Sequence, residues 1–213
     1  MITLYLVRHG ETLWNVEGKM QGWNDSPLTE KGIRQAQKLG ERLKNINFDV
    51  IYSSPIGRAL KTAELVKGFK NTPLVLDDGL KEIKLGPWEG KSIQELKEEE
   101  PEQFNNFWHE PHLYYFQGAE TFKDVRERTH KAIDSILSRN KDKKVLIVTH
   151  TIALKSIMSK FEHRPIKNLW APPRIHQTSL TVVKIDDDNN CEIIKYADTS
   201  HLDEVKRDNI TAV

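Results

Sequence analysis

A single cysteine, three methionines and no apolar run of membrane-spanning length are found among the 213 residues of this chain. Cys191 by itself excludes an internal disulfide and fits a reducing compartment. The length suffices to bury a core without such a staple. The missing apolar runs exclude a membrane-spanning helix. The chain enters a strand at residue 2, with no basic region followed by a long apolar stretch, so no signal peptide and a cytoplasmic location are expected. Neither sign of charge dominates: 32 Lys and Arg against 31 Asp and Glu leave a net charge of +1. That balance gives no global pull towards nucleic acid or a membrane surface, so any anion site must be local. A P-loop, a dinucleotide fingerprint, a cysteine cluster, internal repeats and low-complexity stretches are absent. His109-Glu110-Pro111-His112 spaces its histidines three apart rather than four, and Pro111 breaks the helix a zinc motif needs. The acidic turn 186–190 lacks the glycine and the terminal glutamate of a calcium loop. No metal is expected.

What is present is organised around the first dozen residues. Ile2 to Val7 are apolar or β-prone and read as a short buried strand. Arg8-His9-Gly10 follow at its end, where open α/β sheets place their ligands. Arginine offers a fixed fork of donors for phosphate or carboxylate, histidine a nucleophile near neutral pH, and glycine a tight turn. Residues 13–27, rich in turn formers, read as a loop lining the site, with Asn15 and Gln21 as hydrogen-bonding contributors and Gly22 beside them. Thr29 is an expected N-cap, with a helix to about residue 44. A second strand, 49–53, leads to Ser54-Pro55, which reads as a cap with proline at the first helical position. Arg58 then falls in the first turn, the wrong end of a helix for a structural cation and the right one for an anionic partner.

A third strand is expected at 73–77. The Gly- and Pro-containing loop after it carries Glu82, which local sequence alone reads as a solvated carboxylate. Ser92 to Glu95 form a capping box. The aromatic-rich stretch 101–120 fits a lid or a satellite core equally well. A helix from 121 to about 139 turns Val125, Thr129, Ala132, Ile133 and Ile136 inward. The strand 144–149 ends in His150 and is followed by a helix at 152–161, echoing the opening of the chain. Strands at 179–185 and 191–197 form a hairpin, and a polar, flexible tail is expected over 202–213. His112, His176 and His201 receive no role.

Together the strand ends offer two arginines, two histidines and one acid. Two guanidinium groups and an imidazole can hold a phosphoryl group while a neutral imidazole attacks phosphorus and an acid protonates the leaving oxygen. Arg8-His9-Gly10-Glu11-Thr12, Ser53-Ser54-Pro55 with Arg58-Ala59, Glu82 ahead of Gly86 and Glu89-Gly90, and Thr149-His150 resemble, in this order, the histidine phosphatase (phosphoglycerate mutase-like) superfamily over residues 1 to 200. The resemblance implies His9 as the phosphorylated nucleophile, Arg8, Arg58 and His150 as phosphate ligands and Glu82 as proton donor. Asn15, Gln21, Gly22 and Thr151 are the further substrate-binding positions. It also implies a three-layer α/β sandwich with a mostly parallel central sheet, one antiparallel edge strand, helices on both faces and a helical insertion (91–120) over the site. That is one domain over 1–213.

Thr151 stands where a glycine often follows the second histidine, and Ala119 replaces a glycine in the 118–121 turn. Bacterial-type mutases of the family are longer, with an insertion where this chain has Gly86-Pro87-Trp88-Glu89-Gly90. The expected activity is therefore a broad-specificity phosphomonoesterase acting on small phosphorylated metabolites, without a cofactor. A bisphosphoglycerate-dependent phosphoglycerate mutase and a dedicated phosphatase such as an α-ribazole phosphatase are the alternatives. A binding module would need only the cations, so His9, Glu82 and His150 argue against one. No nucleic-acid or membrane partner is expected, and a homo-oligomer is left open.

Overall fold

The computed structural model describes residues 1–188 and 190–202. The expected tail lies outside them from residue 203 onward. Among the described residues six strands form one sheet: β1 Ile2–Arg8, β2 Val50–Ser53, β3 Leu74–Leu76, β4 Lys144–Thr149, β5 Leu180–Ile185 and β6 Cys191–Asp198. Their order is β3-β2-β4-β1-β5-β6. The first four strands of the chain run parallel, while β5 runs against both β1 and β6. The antiparallel edge is thus the β5–β6 hairpin.

Strand alternation explains the layers. Val145 and Ile147 of β4 face one core, with Ile133, Ile136, Leu154 and Ile157 packed on it. Leu146 and Val148 face the other, against Ala36, Leu39, Ala59 and Ala63. Successive side chains of a strand point to opposite faces, so this near-continuous apolar run is what a doubly covered strand requires. The helices that cover the two faces are α2 Glu30–Arg42 and α3 Gly57–Lys67 on one side, and α6 Phe122–Arg139 and α7 Thr151–Phe161 on the other. After β1 the chain crosses one face, and after β4 it crosses the other. The carboxyl ends of these neighbouring strands therefore flank a switch point, where doubly wound sheets open a crevice.

Local signals set the element boundaries. The Thr29 hydroxyl caps α2, as expected. Capping boxes open α4 Ile93–Glu99 at Ser92 and Glu95, and α6 at Thr121 and Asp124. A further box, Thr12 with Asn15, nucleates a one-turn helix, α1 Leu13–Glu17, inside the expected loop, and Gly18 ends it in a left-handed conformation. Pro101 starts α5 Pro101–His109. The aromatic stretch resolves as a core: the Phe107 ring lies 5.0 Å from Trp108, 5.0 Å from Tyr114 and 5.1 Å from Phe122. Trp88, fully buried, packs on the same cluster with Met20, Ile83 and Ile152.

Candidate active site

The strand pairing brings the two expected histidines together. Arg8 is in register with Thr149 across β1 and β4, and the His9 N–H donates to the Thr149 carbonyl at 2.9 Å. His9 and His150 thus leave adjacent strand ends, with ring centroids 5.2 Å apart. Both are buried. His9 Nδ1 lies 2.7 Å from the Gly10 carbonyl. A carbonyl only accepts, so Nδ1 carries the proton and Nε2 keeps its lone pair. Burial and the charges of Arg58 and Arg8 hold the His9 pKa well below its ordinary value, so the ring is a neutral base at neutral pH. The Gly10 N–H donates to the Thr62 hydroxyl at 3.0 Å, which in turn donates to the Arg58 carbonyl at 2.7 Å. Gly10 has no alternative here, because a Cβ would sit 2.6 Å from the Gly32 carbonyl oxygen of α2.

The two arginines are buried cations. Arg8 donates to the Ile175 carbonyl at 2.9 Å, and burial lowers its pKa to about 10, with Glu82 opposing. Arg58 lies in the first turn of α3, as expected, but the cap differs. Ile56 occupies the cap position without a side-chain bond, and Asp25 accepts the Arg58 backbone N–H at 3.2 Å. The Ser54 hydroxyl is engaged elsewhere, 2.8 Å from His150 Nε2. The Arg58 guanidinium donates to the carbonyls of Gly22 at 2.8 Å and Asn24 at 2.7 Å. Gly22 takes a positive φ of 55° to present that carbonyl, and Glu89 crowds the place where a Cβ would stand.

Glu82 is 1% exposed rather than solvated. Its Oε1 accepts from the Ile83 and Ala153 N–H groups at 3.0 and 3.1 Å, and Oε2 from Ile152 at 3.1 Å. The last two are at the N-terminus of α7, immediately after His150. Burial raises the carboxyl pKa above its ordinary value, against the pull of those N–H groups and Arg58. Gln21 and Thr12 share a hydrogen bond of 3.0 Å, and Asn15 bonds Thr12 in the capping box. Among the described residues, buried donor or acceptor atoms of the expected site without a protein partner include Arg58 Nε, Gln21 Nε2, His150 Nδ1 and Thr151 Oγ1. Buried polar atoms are rarely left so, and a bound tetrahedral anion would satisfy such a set.

Two contributors escape local sequence reading. The Glu82 carbonyl accepts from the Trp23 indole at 2.8 Å and from Arg128 at 2.7 Å. Arg128 also donates to the Lys81 carbonyl at 2.7 Å while its guanidinium pairs with Glu120 at 2.8 Å. His201 is hydrogen-bonded to Arg42 and to the Thr178 hydroxyl. His112 lies beside Glu110 on the surface. Among the described residues no three His, Cys, Asp or Glu side chains converge as a metal set, and no helix is long and apolar enough to cross a membrane.

Residues 4–199 match the histidine phosphatase superfamily, branch 1. The structure is similar to that of YhfR from Bacillus stearothermophilus, at 47% identity and a TM-score of 0.92 over 94% of this chain and 99% of that one. In sequence the chain is 33% identical over 204 residues to Phosphoserine phosphatase 1 of Hydrogenobacter thermophilus, 96% of either chain. It is 34% identical over 186 residues to a Salmonella choleraesuis protein named Probable phosphoglycerate mutase GpmB, 87% of this chain and 85% of that one. A match spanning nearly every strand and helix that builds this crevice places the chain in a family: it belongs to the histidine phosphatase superfamily, branch 1.

Proposed function

We propose that this phosphatase hydrolyses small phosphomonoesters, with broad specificity, through a phosphohistidine on His9 and without a metal or organic cofactor. The observation that carries the reading is the His9 ring itself. Its Nδ1–H is tied to Gly10, which leaves the lone pair on Nε2, and burial beside two arginines favours the neutral ring. Arg8, Arg58 and His150 hold the phosphoryl oxygens, with Asn15, Gln21, Gly22 and Thr151 around them. His9 Nε2 attacks phosphorus, the P–O ester bond breaks, and Glu82 gives its proton to the leaving oxygen. Water then attacks the phosphohistidine, Glu82 takes its proton, and inorganic phosphate leaves. The residues act within one domain, with the 91–120 segment beside the pocket.

Transfer of the phosphoryl group to a phosphoglycerate instead of water is the second reading, favoured by the name of the Salmonella relative. Phosphate release from nitrophenyl phosphate, phosphoserine, 3-phosphoglycerate and sugar phosphates, measured in EDTA with and without 2,3-bisphosphoglycerate, separates the two. Release from several esters, abolished by His9→Ala, is expected. Isomerisation of 3-phosphoglycerate without release establishes the mutase. Loss of activity in EDTA that added metal restores overturns the metal-independent chemistry.

A further inference from the structure

We propose that Ser54 is a positioning residue that sets the tautomer of His150, donating its hydroxyl proton to Nε2 so that His150 turns an Nδ1–H towards the phosphoryl group. Both residues are fully buried. Among the described residues, the Ser54 hydroxyl has two partners: the Ile56 N–H, which donates to it at 3.3 Å, and His150 Nε2 at 2.8 Å. Two arrangements are conceivable. If His150 Nε2–H donated to Ser54, the hydroxyl oxygen would take two donors and its own proton would have no acceptor. His150 would then present a bare Nδ1 lone pair beside any phosphoryl oxygen, which repels it. If Ser54 donates instead, the oxygen accepts from Ile56 and gives its proton to Nε2, and every atom of the pair is satisfied except Nδ1–H. That one remaining donor is what an anion takes up.

The placement is built into the sheet. The Ser54 N–H donates to the Val148 carbonyl at 3.0 Å, so the β2–β4 pairing delivers the hydroxyl to the strand end that carries His150. The Ser53 hydroxyl fixes the next turn by donating to the Ser54 carbonyl at 2.9 Å. The two site histidines then carry their protons on the same nitrogen and do opposite work. His9 has its Nδ1–H occupied by Gly10 and offers a lone pair. His150 has its Nε2 occupied by Ser54 and offers a proton. Burial and the neighbouring Arg58 keep the second ring neutral, so its tautomer matters.

The inference rests on the phosphatase reading only for the identity of the acceptor, since the tautomer belongs to the resting protein. Long-range ¹H–¹⁵N spectra of the wild-type protein, with His150 assigned by His150→Gln, are expected to show the proton on Nδ1. In Ser54→Ala a population protonated on Nε2 is expected, with affinity for inorganic phosphate and kcat/KM both falling about tenfold to a hundredfold, the effect of losing one hydrogen bond to a charged group. A wild-type proton on Nε2 overturns the proposal, whether or not the variant folds. So does an unchanged tautomer in Ser54→Ala. A tautomer shift and weakened phosphate binding in a protein that hydrolyses no phosphomonoester would support the role of Ser54 while removing the phosphatase reading.

Discussion

The two oxygens of Glu82 occupy unlike surroundings: Oε1 accepts two backbone N–H groups and Oε2 accepts one. Oε2 therefore has room for the proton that a general acid must carry. Removing that proton source by Glu82→Gln is expected to slow alkyl phosphates by about 10²–10⁴-fold, and nitrophenyl phosphate far less, since its leaving group needs no proton. Equal losses on both substrates would sink the acid role. The pH dependence has a definite sign. As the proposed acid, Glu82 would work protonated, and its pKa is raised, so the rate on alkyl esters is expected to fall as pH rises through that value, a limb the glutamine variant would lack. As the proposed nucleophile, His9 would work neutral, and its pKa is lowered, so loss of activity by its protonation is expected below the ordinary histidine range. How far this chemistry was legible differs between residues. Arg58 could be placed from its own neighbours, because a helix start is a local signal. Glu82 could not, because two of the three N–H groups that define it come from a helix start about 70 residues further along the chain, and burial comes from elements no local window contains.

At the scale of elements, α6 acts on the acid from behind. Arg128 donates to the carbonyls of Gly79, Lys81 and Glu82 while Glu120 holds its other edge. One guanidinium thus fixes the loop that presents Glu82. Arg128→Ala is expected to cost about 3 kcal/mol of stability and, by letting the acid drift, about tenfold or more in kcat on alkyl phosphates. Lysine should not rescue it, lacking the planar fork. Urea denaturation and turnover on the two leaving-group classes check this, and a stability loss with unchanged turnover would limit Arg128 to a structural role. The aromatic core supports the site in the same indirect way: Met20, Ile83 and Ile152 belong to it and are the chain neighbours of Gln21, Glu82 and Thr151. Caps at Thr29 and Ser92 were legible because donor and acceptor lie within three residues, whereas the box at Thr121 and Asp124 was read only as a helix start. The start of α3 was displaced because Ser54 and Asp25 exchange the expected duties across the fold, one turning to His150 and the other capping the helix.

For the whole molecule, the family resemblance implied the three-layer α/β fold and the alternation of strands and helices agreed with it, whereas the strand order depends on which edges pair, a property of no single segment. The cost of assembling the crevice is visible in how stability depends on pH. His9 and His150 are both buried with pKa values held well below 6.5, by burial first and by the arginines second. Below pH 6.5 the unfolded chain binds protons that these two rings refuse in the folded state. Stability therefore falls as pH drops, by about 1.4 kcal/mol per pH unit for each ring that stays neutral. Glu82 has the opposite sign. Its folded pKa is raised above 4.5, so its contribution is full below 4.5 and is lost as pH rises through the raised value. Between 4.5 and that raised value it opposes the histidines. Urea midpoints in low salt should accordingly decline from pH 7.5 to 5.5. His9→Gln should flatten the decline by removing one histidine contribution. A wild-type midpoint that stays level across this range would mean that the two rings titrate in the folded protein as they do in the unfolded chain, and burial between the arginines would then not be what keeps His9 neutral.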